Sequence, residues 1–216
     1  MPQHSDRWIC LDVGETIIDE TRVWSLWADE LRVPRLTFLA GLGAVIARGG
    51  DYRDVFALFG ADDWQLRAPA VEAAYGGFQA HDLYPDALPA LHALREAGYR
   101  VAIVANQPEI RGTQLRAIGV EAEVMAMSED IGVAKPQSGF FARVLDMMGG
   151  PPPARVAYVG DRVDNDVVPA QAAGMRSVWI RRGPWGVIQG PPSAPPSLVV
   201  DSLSELVDRI GEVLAP

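Results

Sequence analysis

The chain has 216 residues, the length of one domain or of one domain carrying an insertion, with a core of ordinary size. Hydrophobic residues at 49% and charged residues at 22% exclude disorder over the whole length. Acids outnumber bases 28 to 19, for a net charge of −9, which excludes a basic nucleic-acid binder but admits an anionic small substrate wherever a few cations converge.

Met1 to Asp6 is short and polar, with no basic stretch leading into an apolar one, and no run approaches eighteen apolar residues. Cys10 is alone, so no internal disulfide forms. The expectation is a cytoplasmic monomer or small homo-oligomer that engages no membrane.

In chain order, Trp8-Ile9-Cys10-Leu11 is an apolar run ending at Asp12 and Gly14, the pattern of a buried strand feeding a turn. Residues 21 to 83 then break any strand–helix alternation. Trp24, Leu26, Trp27 and Leu31 are followed by Leu36 to Ile46 after Pro34, by Val55 to Phe59, and by an Ala-rich piece ending near Tyr75. Glycines at 49–50, 60 and 76–77 punctuate these pieces, which read as an inserted bundle of four helices with the tryptophans in its core. Regular alternation begins near residue 86. Leu88, Leu91 and Leu94 recur at helical spacing ahead of Gly98, and Val101 to Val104 is a second buried strand ending at Ala105-Asn106. Val124 to Met127 fits a strand or a helix segment. Phe141, Val144, Leu145 and Met148 mark a helix that Gly149-Gly150 and three prolines stop. Val156 to Val159 is a strand ending at Gly160-Asp161; Ser177 to Ile180 and Leu198 to Val200 are two more. Ser202 with Glu205 has the spacing of a capping box ahead of the last helix. The fold class is therefore α/β, a Rossmann-like core of mostly parallel strands from residues 1–20 and 84–216, with residues 21–83 as an all-helical insertion.

Ligands of open parallel sheets bind outside the carboxyl ends of the strands. Asp12, Asn106 and Asp161 all stand there. Singly, each has a plain reading as a turn former or helix cap, and Lys135 before Pro136 as a solvated lysine. Together, two carboxylates and a lysine on loops feeding one crevice make a metal and phosphate site. Asp166 and Asn165 read equally as the cap of the helix running to Ala173. Cys10 reads as packed core, His4 falls in the polar start, and His92 leans outward. His81 stands near the return from the insertion. Arg181-Arg182-Gly183-Pro184-Trp185 reads as a structural or partner-facing turn, and Gly190 to Pro196 as a surface connection.

Four pieces of the chain resemble the motifs of the haloacid dehalogenase-like hydrolases. They are Asp12-Val13-Gly14-Glu15-Thr16, Val104-Ala105-Asn106, Lys135-Pro136, and Gly160-Asp161-Arg162-Val163-Asp164-Asn165-Asp166, in matching order and spacing over nearly the whole chain. The helical insertion falls where that family carries a type-1 cap. The resemblance implies that Asp12 is the nucleophile, forming an aspartyl-phosphate from a small-molecule phosphate ester. It implies Mg²⁺ held by Asp12, Asp161 and the backbone carbonyl of Gly14, because two unit charges 4 Å apart otherwise repel by about 4 kcal/mol at an effective dielectric near 20. Lys135 balances charge as a catalytic and substrate-binding group, Ala105 and Asn106 stand at the phosphate-binding position, and Asp166 with Asn165 supports the lysine or the metal from behind.

Two positions depart from the family pattern. Gly14 stands where its phosphatases carry a second aspartate that protonates the leaving oxygen, an acid–base term worth ~10²–10⁴-fold. Ala105 stands where Ser or Thr bonds a phosphate oxygen, a contact to a charged group worth roughly 1.5–3 kcal/mol. The expectation is weak phosphatase-type turnover, with Glu15 as a candidate substitute acid, Asn106 covering part of the phosphate contact, and an aspartate restored at position 14 raising the rate. Two alternatives stand beside it: a retired enzyme kept as a ligand-binding or protein-interaction module, and a metal-free 2-haloacid dehalogenase. A Schiff-base branch of the family is disfavoured, since residues 21–83 contain no lysine.

Overall fold

The computed structural model describes residues 6–214. One sheet of six parallel strands runs in the order β3-β2-β1-β4-β5-β6. The strands are β1 (Trp8–Leu11), β2 (Arg100–Ala105), β3 (Val124–Met127), β4 (Val156–Gly160), β5 (Arg176–Ile180) and β6 (Leu198–Val200). The ambiguous run at 124–127 is thus a strand. Apart from Arg100, Arg176 and Ser177 these strands are made of apolar residues, Tyr158 and Gly160, because both faces of the sheet are covered. Ile9, Leu11, Val101 and Ile103 face one buried cluster; Trp8, Cys10, Ala102 and Val104 face the other.

Between β1 and β2 the chain forms four helices: α1 (Thr21–Glu30), α2 (Arg35–Ala47), α3 (Asp54–Leu58) and α4 (Trp64–Tyr75). They build a cluster of their own around Trp24, Trp27, Phe38, Leu42 and Phe56. The chain leaves the sheet and returns to it as two passes bonded to each other: Asp19 N–H donates to Asp82 O at 2.7 Å and Tyr84 N–H to Ile17 O at 3.0 Å. Arg22 ties the crossing together, its guanidinium donating to both Asp82 carboxylate oxygens and to the carbonyls of Tyr75 and Gly77.

The sheet is covered by α5 (Ala87–Glu96), α6 (Ile110–Ala117), α7 (Ser128–Ile131), α8 (Ser138–Met147), α9 (Val168–Ala172), α10 (Gly183–Ile188) and α11 (Leu203–Arg209). Helix α5 buries Leu91 and Leu94 on the first face, whereas α8 buries Phe140, Phe141 and Val144 on the second. Ser202 accepts the Glu205 N–H at 3.0 Å, but the reciprocal arm of the expected capping box is shifted by one residue, since Glu205 accepts from Asp201. Helix α10 joins the two regions. Its Trp185 is buried in the four-helix cluster, 6.3 Å from the Trp24 ring and 6.4 Å from Tyr52. Among the described residues no helix is long and apolar enough to cross a membrane.

Candidate active site

Strand β1 lies between β2 and β4, so connections diverge on its two sides and a crevice opens at their carboxyl ends. Its volume is about 1100 Å³, and Trp24, Trp27, Tyr52 and Arg53 of the helical region contribute to its lining. Leu11 is paired with Val159 in the sheet, and the Asp12 N–H donates to Val159 O at 2.9 Å. Asp12 and Asp161 therefore leave adjacent strand ends together and both line the crevice. The Asp161 carbonyl is held by the Trp179 indole N–H at 2.9 Å.

Lys135, the only lysine of the chain, is buried between two carboxylates. Its Nζ lies 2.8 Å from Asp12 Oδ1 and 2.6 Å from Asp166 Oδ1. Burial disfavours the ammonium, but Asp12 and Asp166 outweigh it and hold its pKa above the ordinary lysine value. A compact ammonium reaches both acids, where the wider guanidinium used for every other cationic side chain would demand a planar fork. Asn106 fixes this lysine by its backbone: the Lys135 N–H donates to Asn106 Oδ1 at 2.7 Å, and Asn106 Nδ2 donates to Lys135 O at 2.8 Å. One N–H of the Asn106 amide and its Oδ1 are thus engaged by the chain that carries Lys135, and the residue also lines the crevice.

Asp166 is fully buried. It folds back over the strand end, where its Oδ2 accepts the Arg162 N–H at 3.1 Å within a π-helical turn at Val163–Val167. It does not cap α9. The fold-back requires Gly160, since a Cβ there would lie 2.5 Å from Asp166 Cγ. Burial pushes the Asp166 carboxyl up to about 6 against the pull of Lys135. Asp161 is raised well above the usual carboxylate range, by burial first and then by the Asp166 and Asp12 charges. Its Oδ2 is buried without a hydrogen-bond partner. Asp12, Asp161 and Asp166 each offer one oxygen within 4.8 Å of the others. Ala105, at the end of β2, and Asn165 both line the crevice, the alanine with no polar side-chain atom to offer.

The loop after Asp12 departs from expectation. Glu15 has a positive φ of 50°, an uncommon state for a residue with a side chain. Both its carboxylate oxygens are engaged, Oε2 by the Tyr84 hydroxyl at 2.5 Å and Oε1 by the Glu20 N–H at 3.1 Å. Burial raises its pKa, while Tyr84 and the Glu20 amide lower it. Glu15 is thus tied down. The space beside Gly14 holds Glu20 instead, for a Cβ built on Gly14 would lie 2.6 Å from Glu20 Oε1. Burial, then the Glu15 and Asp12 charges, push the Glu20 carboxyl up to about 8. The Trp24 indole N–H faces it without reaching hydrogen-bond geometry. Sequence reasoning missed Glu20 because it lies six residues past Gly14, at the start of α1; an acid at the end of a loop that must turn back toward its own beginning was the available signal.

The remaining residues fall outside the chemistry. Cys10 is buried in the sheet, and burial raises its thiol pKa far above the ordinary value. His81 and His92 are exposed beside Asp82 and Glu96, and His4 lies outside the described residues. Arg181 pairs with Asp201, while Arg182 donates to Asp86 and to Thr16 O, so the cationic turn is structural.

The sequence model of the haloacid dehalogenase-like hydrolases matches residues 7–174, more than half of the chain and all four crevice motifs. The chain belongs to this family. Among relatives, a phosphoserine phosphatase of Thermus thermophilus is 32% identical over 173 residues, which cover 77% of this chain and 68% of that protein. A glyceraldehyde 3-phosphate phosphatase of Methanopyrus kandleri is 34% identical over 134 residues, covering 60% of this chain but only 57% of the relative. The fold is shared with a HAD phosphatase of Thermococcus onnurineus at a TM-score of 0.62 and 24% identity, over 95% of this chain and 98% of that one.

Proposed function

We propose that this haloacid dehalogenase-like protein is a phosphatase acting on a small phosphate ester through an aspartyl-phosphate on Asp12, with residues 21–83 as the cap over the crevice. The observation that carries the reading is Lys135, locked between Asp12 and Asp166 beside the unpartnered Oδ2 of Asp161. Lys135 holds Asp12 Oδ1, which leaves Oδ2 to attack phosphorus. Two of the three ammonium donors are spent on carboxylates, and the third is free to meet a phosphoryl oxygen. Asn106 and Asp166 keep that ammonium in place.

The site also suits Mg²⁺, because an orphaned buried carboxylate oxygen next to a second carboxylate is a hard-oxygen donor set. Asp12 and Asp161 would hold the ion, whereas Asp166 is committed to Lys135. When bound, it neutralises charge between nucleophile and phosphate.

A panel of phosphate esters assayed with Mg²⁺ tests the reading. Phosphate release that Asp12→Asn abolishes is the expected result; equal background in both proteins favours a retired binding module, and halide release from 2-haloacids without added metal favours a dehalogenase.

A further inference from the structure

We infer that Glu20 is the acid–base group of this crevice, an inference that rests on the phosphatase reading above. A carboxylate that exchanges a proton with the substrate must reach the crevice and must not be committed to a cation. Asp12 and Asp166 are committed to Lys135, Asp164 to Arg162, and Asp51 to Arg53. Glu15 is held by Tyr84 and by the Glu20 amide, and Glu129, an exposed side chain on the rim, accepts the Glu109 N–H at 2.7 Å. Asp161 faces Asp12 and Asp166 as the cation donor. Glu20 lines the crevice together with Asp12, and among the described residues no arginine or lysine forms an ion pair with it.

Its position is set from two sides. Glu20 immediately precedes α1, whose first turn brings Trp24 to the crevice wall, and its own N–H is anchored on Glu15. The side chain then crosses over Gly14, two residues beyond Asp12, into space that any other residue at 14 would fill with its own Cβ. A glycine at 14 and a glutamate at 20 are thus one device. The longer side chain, reaching in from the helix, delivers a carboxyl group beside the nucleophile.

Asp12 Oδ2 forms a bond to phosphorus while the bond from phosphorus to the ester oxygen breaks. The proton of the Glu20 carboxyl passes to that oxygen, and the alcohol leaves. Water then attacks the phosphorus of the aspartyl-phosphate and gives a proton to the Glu20 carboxylate. Asp12 is released with inorganic phosphate, and Glu20 regains its proton.

Leaving-group dependence provides the test, because an alkoxide needs a proton and p-nitrophenolate does not. The ratio kcat/KM reports the first phosphoryl transfer, so Glu20→Gln should lose about a hundredfold or more on an alkyl phosphate and less than about tenfold on p-nitrophenyl phosphate. A second variant guards against misfolding of the first. Gly14→Asp in a Glu20→Ala background moves the carboxyl group to the other end of the same space, and should recover about tenfold or more on the alkyl ester relative to Glu20→Ala alone. Equal losses on both esters, or no loss on either, with native turnover that still depends on Asp12, would overturn the role of Glu20 and leave the phosphatase reading intact. A native protein that hydrolyses no ester at all would overturn both.

Discussion

The two flanks of Asp12 are built on opposite rules. On the Lys135 flank the polar groups are paired: the lysine with two acids, its backbone with Asn106, and Asp166 with the Arg162 amide. On the Glu20 flank the carboxyl group forms no ion pair among the described residues, Arg162 acting on it only through space, and the indole beside it has no partner within hydrogen-bond geometry. Buried charges persist only when paired, so the first flank holds its groups in one arrangement. The second is left electrostatically unfinished, which suits a group that must gain and lose a proton. Satisfied polar networks hold geometry, and unsatisfied ones hold reactivity.

The largest expected effect comes from breaking the paired flank. Lys135→Met leaves Asp12 and Asp166 facing each other in the interior, and removal of one partner from a buried pair costs about 3–5 kcal/mol. Urea unfolding should register that loss, whereas Glu20→Gln should not lower stability, because it removes a carboxyl group whose charged form burial already disfavours. Similar costs for the two variants would erase the contrast between the flanks.

Asn106→Ala should fall next. It deletes both hydrogen bonds to the Lys135 backbone without touching the ammonium, at an expected cost of about 1–3 kcal/mol. Because Lys135 would then lose its register against Asp12, kcat should fall along with the unfolding midpoint. An unchanged kcat would mean that the two carboxylates alone place the lysine.

The smallest effect sharpens the comparison from behind the Glu20 flank. Arg182 donates to Thr16 O and to Asp86, anchoring the loop that carries Gly14 and Glu15. Burial raises the Asp86 pKa, but Arg182 and the amides of Leu203 and Ser204 pull it below the ordinary carboxylate value. A depressed folded-state pKa contributes stability that is present above the unfolded value near 3.9 and is lost as pH falls through the folded one. Unfolding followed from pH 5 down to pH 3 should show a loss of at most about 1 kcal/mol that Asp86→Asn removes, since a partly exposed pair is screened. A native curve as flat as the variant's would show that the loop does not depend on this anchor.

Position 14 illustrates how far the sequence could be read. Gly14 is plainly a missing side chain in a linear reading, and an aspartate placed there looks like a simple repair. In the folded chain the vacancy is filled by Glu20, so Gly14→Asp would displace one carboxylate with another rather than add one. Asn106 was visible as a polar strand end, but its partner, the backbone of a loop 29 residues away, was not. Trp185 was visible as an aromatic in a basic turn, while its burial among Trp24 and Tyr52 depends on how α10 meets the helical region.

What the sequence determined by itself is therefore local or periodic. Five of the six strands, helices α5, α8 and α11 and the four-helix insertion follow from apolar spacing and from Gly and Pro, because side-chain burial repeats with the backbone geometry. The strand-end positions of Asp12, Ala105 and Asp161 follow too, since a buried run must end where polar groups can meet the crevice. Only the tertiary structure decided which of those polar groups are spent on one another. Hydrogen bonding and charge pairing depend on distances of a few ångströms between segments far apart in the chain, and nothing periodic records them. Lys135 belongs to Asp12 and Asp166, Glu15 to Tyr84, and Glu20 to the space above Gly14, because the loops close that way.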